Sequence, residues 1–148
     1  MADLPPGRRP GLDPDECRRR FGASEHAYLA TVGPDGAPHL VPVVFDLTDD
    51  RITVAVDHKP KRTTALQRLR NIAADPRVTL LADHWSTDWQ ELWWVRADGE
   101  ATVVDSGREH EAAVRRLQRR YAQYVTTPPR GPVILTVVHR WTGWEARS

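Results

Sequence analysis

Short apolar blocks punctuate the chain at 28–32 (YLATV), 39–47 (HLVPVVFDL), 52–56 (ITVAV), 78–82 (VTLLA), 92–104 and 133–138 (VILTVV). Their β-branched content and the glycine, proline and acidic residues between them predict short strands. Gly33-Pro34-Asp35-Gly36 supplies the turn of a hairpin between the first two. Pro42 has no ladder donor, so its strand belongs at an edge, at a bulge or along a gap that faces a ligand. In the segment 92–104, Asp98-Gly99 marks an irregularity.

Two segments switch to helical spacing. Between His58 and Asp75, Leu66, Leu69 and Ala73 recur at offsets of three and four until Pro76 stops the run. After Ser106, which stands in capping-box spacing with Glu109, an apolar face runs through Val114, Leu117, Tyr121 and Tyr124, with Arg115, Arg116, Arg119 and Arg120 opposite. A shorter helix starts at Asp13-Pro14-Asp15-Glu16, where Asp13 caps, Pro14 suits the first position, and Cys17 and Phe21 share one face. Prolines and glycines over 1–12 predict a flexible arm, leaving 13–148 as one domain. Six or so strands with only two longer helices do not fit a βαβ sheet, which needs a crossover helix after almost every strand. The pattern predicts a mainly β (α+β) class, a small antiparallel barrel with flanking helices.

Composition removes several functions. Lys plus Arg number 21 against 20 for Asp plus Glu, so no global field recruits nucleic acid or an anionic membrane. Cys17 is the only cysteine and cannot form an internal disulfide, and no apolar run approaches the ~18 residues of a membrane span. With no secretory leader pattern at the start, a reducing cytoplasm is the expected compartment. GxSxG, GxGxxG and GxxxxGK[ST] are absent, and the six histidines form no HxH or HxxxH pair, so neither a nucleophile elbow, a dinucleotide fingerprint, a P-loop nor a metal site is expected.

Two features carry candidate chemistry. The run Asp57-His58-Lys59-Pro60-Lys61-Arg62-Thr63 lies between a strand and a helix start, with Lys59, Lys61 and Arg62 uninterrupted by an acid and the Thr63 hydroxyl near free helix amides. That combination suits a phosphate; a solvated basic loop is the alternative. The six tryptophans fall in two clusters, Trp85, Trp89, Trp93 and Trp94, then Trp141 and Trp144. Buried core is the ordinary use of tryptophan, while paired clusters also serve a flat ligand or a subunit contact.

In order, the segments YLATVGPDGAPHLVPVVF, ITVAVDHKPKRT, LQRLRNIAADPRVTLLADH, LWWVRADGEATVV and VVHRWTGW resemble the pyridoxamine 5′-phosphate oxidase-like split β-barrel oxidoreductases, and within them the branch that depends on coenzyme F420. The resemblance spans nearly all of 13–148. It implies an FMN-binding-type split β-barrel and a homodimer with the cofactor in a groove between two barrels. Lys59, Lys61, Arg62 and Thr63 would hold its phosphate. Val41, Pro42 and Val43 would run along the ring, flanked by Val56 and Asp57. Trp94 would reach over from the partner subunit, and Trp141 and Trp144 would close the groove. The implied activity is hydride transfer from reduced F420 to a small unsaturated or quinone-like acceptor. An FMN-dependent oxidase or reductase, or a non-catalytic carrier or sensor, is the alternative. The R-L-x-P ending of true pyridoxine phosphate oxidases is missing. No catalytic side chain is singled out; His39 and His58 are proton-donor candidates by location alone.

Overall fold

The structure, a computed structural model, describes residues 11–56 and 63–146, and of 63–66 the backbone alone. Seven strands form one antiparallel sheet: β1 (Ala27–Val32), β2 (Pro38–Val43), β3 (Asp46–Thr48), β4 (Arg51–Ala55), β5 (Arg77–His84), β6 (Trp93–Val104) and β7 (Val133–Glu145). Their order is β2-β1-β5-β6-β7-β4-β3, so the two edge strands are neighbours in sequence. Only Val44 and Phe45 separate β2 from β3, a reach of about 10 Å. The sheet must therefore curl until its edges almost meet, giving a barrel split along the β2/β3 seam.

The expected single strand over 39–47 breaks at that seam, and the cause lies far away in sequence. The Phe45 N–H donates to the Tyr121 hydroxyl at 3.1 Å, and that hydroxyl donates to the Phe45 carbonyl at 2.8 Å. One side chain thus satisfies both backbone groups that a ladder would have used, and the Phe45 ring turns fully into the core. Pro42 sits on an edge strand, one of the three places its chemistry allows.

Helix α1 (Pro14–Ala23) begins as its sequence requires: the Asp13 carboxylate accepts from the Glu16 N–H at 2.8 Å, with Pro14 at the first position. Cys17 and Phe21 are fully buried beneath it. Phe21 packs on Phe45 with ring centroids 4.7 Å apart and meets Trp141 edge-on at 5.4 Å. With Leu29, Ile52 and Leu80 they form the barrel core, each fully buried apolar side chain contributing about 2 kcal/mol. Ahead of the helix, Leu12 donates its N–H to the Gly143 carbonyl at 3.1 Å and packs on the same core.

Helix α2 (Thr63–Ala74) is pinned to β1 by Asn71, which is buried, donates to Thr31 Oγ1 at 3.0 Å and accepts from Gln67 at 2.7 Å. Helix α3 (Arg108–Arg120) packs on β4, burying Ala113 and Leu117. Three expectations for it change. Its cap is Gly107 at φ 90°, with no capping side chain, because Ser106 lies one residue too early and bonds Asp105 instead. It stops at Arg120, so Tyr121 is a terminal residue and Tyr124 belongs to the short α4 (Ala122–Thr126). Arg116 and Arg120 do not stand apart from the packed side as the arginine stripe opposite the apolar face implied: Arg116 reaches Thr53 Oγ1 at 3.3 Å, and Arg120 lies 4.5 Å above the Phe45 ring and donates to the Ser24 carbonyl. No helix among the described residues is long and apolar enough to cross a membrane.

Candidate functional site

Alternation along β5, β6 and β7 decides which tryptophans meet. Val95 and Ala97 point into the core, so Trp94 and Arg96 must point outward. Trp94 stands opposite Trp144 and Asp83, and Arg96 opposite Thr142 and Leu81. At the end of the β5/β6 ladder His84 stands opposite Trp93, with the two rings stacked 6.2 Å apart at 18°. Here lies a mainly apolar cavity of about 290 Å³, walled by Trp85, Trp93, Trp94, Trp144, Leu81 and Leu92 and edged by Asp83, His84 and Arg96. It gathers four of the six tryptophans. A polar cavity of about 710 Å³ adjoins it, sharing Asp83, His84, Leu92 and Trp93.

The walls are held by charge. The Arg96 guanidinium lies 5.8 Å from the centre of the Trp94 ring and donates to Asp98 at 3.2 Å. Arg20 lies 5.5 Å from Trp93 and is gripped by Glu16 at 2.8 Å and Glu145 at 2.7 Å. Glu16, paired with Arg19 first and Arg20 second, has its carboxyl pulled down to about 2. Three polar atoms on the outer face of this region, the indole nitrogens of Trp94 and Trp144 and the Thr142 hydroxyl, are buried without a hydrogen-bond partner. Buried polar groups without a partner are rare in folded proteins.

Trp141 does not join this cavity. It faces Ala97 on the inner side of β7, where its indole N–H donates to Asp50 at 2.9 Å, and Asp50 in turn takes a 2.7 Å bond from Arg18. Trp144, three residues on, has the opposite parity and faces out. Of the β2 positions, Val43 is buried and Val41 packs on the core, whereas Pro42 is exposed on the outer face beside Leu40. His39 is half-buried on the inward parity, with Nδ1 unpartnered. Val56 is buried beyond the end of β4, its N–H donating to the Pro132 carbonyl at 3.0 Å. Thr63 is the first residue of α2. Asp57, His58, Lys59, Lys61 and Arg62 lie outside the described residues.

The strand next to Val56 shows how far apart the two halves of the expected site lie. Ala55 pairs with Val133 at the start of β7, and Trp144 stands eleven positions further along the same strand, a path of roughly 35 Å. Within one protomer the tryptophan cavity and the chain leading into the basic run occupy opposite ends of the β6/β7 pair.

Sequence reasoning named Trp93 only as one of a tryptophan cluster and did not select Asp83, His84 or Arg96 for this site. Their adjacency is a product of the β5/β6 register, for which the sequence carries only the weak signal of two flanking apolar strands.

Comparisons with known proteins agree with this architecture. A conserved hypothetical protein from Mycobacterium tuberculosis is 24% identical with a TM-score of 0.73, covering 92% of this chain and 86% of its own. A putative 5-nitroimidazole antibiotic resistance protein from Bacteroides thetaiotaomicron, 14% identical, gives 0.72 over 90% and 84%. An FAD binding protein from Mycobacterium smegmatis, 19% identical, gives 0.65 over 94% and 100%. These likenesses show the fold. Among curated proteins, a 5a,11a-dehydrotetracycline/5a,11a-dehydrooxytetracycline reductase from Streptomyces rimosus is 34% identical over 61 residues, 41% of this chain and 42% of its own length, so the match spans less than half of that relative. The sequence profile described as Pyridoxamine 5'-phosphate oxidase matches residues 13–144, from the cap of α1 to the outward-facing Trp144. The chain belongs to the pyridoxamine 5'-phosphate oxidase family.

Proposed function

We propose that the protein is a cytoplasmic, homodimeric oxidoreductase dependent on coenzyme F420, acting on a flat unsaturated or quinone-like small molecule. The observation that carries the reading is the separation just described. A cavity with four tryptophans and two unpaired indole N–H groups lies at one end of β6/β7, and the strand feeding a run of three cations lies at the other. In the proposed homodimer the aromatic end of one protomer would meet the basic end of its partner, and a ring-and-phosphate ligand needs both.

The residues fit such a ligand. Lys59, Lys61 and Arg62, with the α2 N-terminus at Thr63, form a donor set suited to a phosphate. The backbone of 41–43, with Val56 and Asp57, would flank the ring, and the partner subunit's Trp94 would cover it, its orphaned N–H finding an acceptor there. Trp144 shares that role; Trp141 instead secures α1 and the β3–β4 turn from inside the barrel. When bound, the reduced deazaflavin supplies a hydride. The chain's share is to hold phosphate and ring, to orient the acceptor and to exclude water, none of which requires a side-chain nucleophile. The partial likeness to a reductase of a fused-ring compound supports the substrate class. The second reading is a flavin, FMN, supported as a cofactor class by structural neighbours described as FAD-binding.

Parallel titration of the purified protein with F420 and FMN, followed by absorbance and fluorescence, tests the reading. F420 should bind and FMN should not, and Lys61→Ala and Arg62→Ala should each weaken F420 binding by about tenfold, a loss of roughly 1.4 kcal/mol. Tight FMN binding with no F420 binding would select the second reading. Unaltered affinity in both variants would remove the phosphate assignment.

A further inference from the structure

We infer that His84 is the acid of the reaction, a catalytic residue that donates a proton to the carbonyl oxygen of an acceptor seated in the tryptophan cavity. The inference deepens the reading above and rests on it for the hydride donor. Its grounds are positional. His84 lies where the apolar and polar cavities meet and lines both, whereas His26, the other histidine nearby, lines only the polar one. Its ring is stacked on Trp93, an arrangement that fixes the imidazole plane and leaves the ring edge free. Among the described residues neither ring nitrogen has a hydrogen-bond partner, so both are available to a ligand.

The surrounding charges are mixed. Asp83 on the same strand and Arg96 on β6 border the apolar cavity. Arg19 and Arg20 from α1, Glu25 and His26 ahead of β1, Glu91 and Glu145 line the polar one. Arg20 is already committed to Glu16 and Glu145, and Arg96 to Asp98, and the unpartnered indoles of Trp94 and Trp144 hold their N–H protons too tightly to act as acids, which leaves the His84 imidazole for that task.

The step balances. Hydride addition to the β-carbon of a C=C–C=O acceptor moves an electron pair onto the carbonyl oxygen, and protonated His84 gives its N–H proton to that oxygen. The neutral imidazole recovers a proton from water. The acceptor thus gains two electrons and two hydrogens, one as the hydride that the bound cofactor would supply and one as the proton from His84. Imidazole suits this work because its charge changes near neutral pH.

The test uses binding as well as turnover. Lawsone, a planar hydroxynaphthoquinone that is an enolate anion at neutral pH, and menadione, its neutral analogue, are titrated against the full chain by tryptophan fluorescence quenching from about pH 8.5 to about pH 6. Lawsone should tighten at least about fivefold as pH falls while menadione stays level. In His84→Asn and His84→Ala, with unchanged circular dichroism, the lawsone slope should vanish. The high-pH decline of kcat in turnover should vanish with it. A slope that persists in both variants, or is absent in the wild type, overturns the assignment. F420 titration of the same preparations separates the two claims. Normal F420 binding with no His84-dependent slope sinks the acid alone, whereas an intact slope without F420 binding sinks the cofactor reading and leaves only the carbonyl contact.

Discussion

Trp94 and Trp144 stand opposite each other across the β6/β7 ladder, and the indole nitrogen of each is buried without an acceptor. A lone protomer is therefore penalised at both rings, because an unmet buried donor costs about 1–3 kcal/mol. Trp94→Phe and Trp144→Phe keep an aromatic ring and remove the donor. Each should leave the isolated protomer as stable or up to about 1 kcal/mol more stable in urea unfolding. Both should weaken self-association in sedimentation, and Trp94→Phe should also weaken F420 binding. Loss of protomer stability with unchanged assembly would contradict this.

Gly99 sits at the register shift of β6, where a Cβ would come within 2.1 Å of the Val137 carbonyl oxygen. Backbone on the facing strand cannot retreat as a side-chain tip can. Gly99→Ala should cost about 3 kcal/mol, read as a lower urea midpoint with an unchanged m-value.

Asp50 is held ionised by hydrogen bonds from Arg18 first and Trp141 second, which place its carboxyl below the ordinary carboxylate range. A carboxyl lowered in the folded state adds stability that is complete above its unfolded value and is lost as pH falls through its folded value. Glu16 behaves likewise between the ordinary 4.5 and about 2. Asp50→Asn should cost about 1 kcal/mol at neutral pH, the half-exposed pair being partly screened, and should shallow the loss of stability on the acid side of pH 4. Thermal unfolding across pH checks both.

Burial pushes the Cys17 thiol up, and its Sγ is packed near Gly143 and Leu12. The thiolate is the reactive form. Iodoacetamide should leave the native protein unlabelled at neutral pH and label it once urea unfolds it, as read by mass; rapid native labelling would show that α1 opens.

Wherever chemistry was local, the sequence could be read. The Asp13 cap, the Asp98-Gly99 irregularity and the edge position open to Pro42 each follow from one or two residues. What stayed hidden depended on distant partners. Nothing within HLVPVVFDL shows that Tyr121 will interrupt it. Trp141 and Trp144 read as one cluster, yet a strand sends residues three apart to opposite faces, one to the core and one to the cavity. His84 gained its place only when β5 aligned with β6.

The barrel seam leaves β2 with a free rim, and such a rim invites another chain to add a strand. Pro38 and Pro42 share the parity that faces away from β1, so neither can donate there, and Leu40 between them is the sole donor on that side. Copies of this chain are thereby discouraged from zipping edge to edge into filaments.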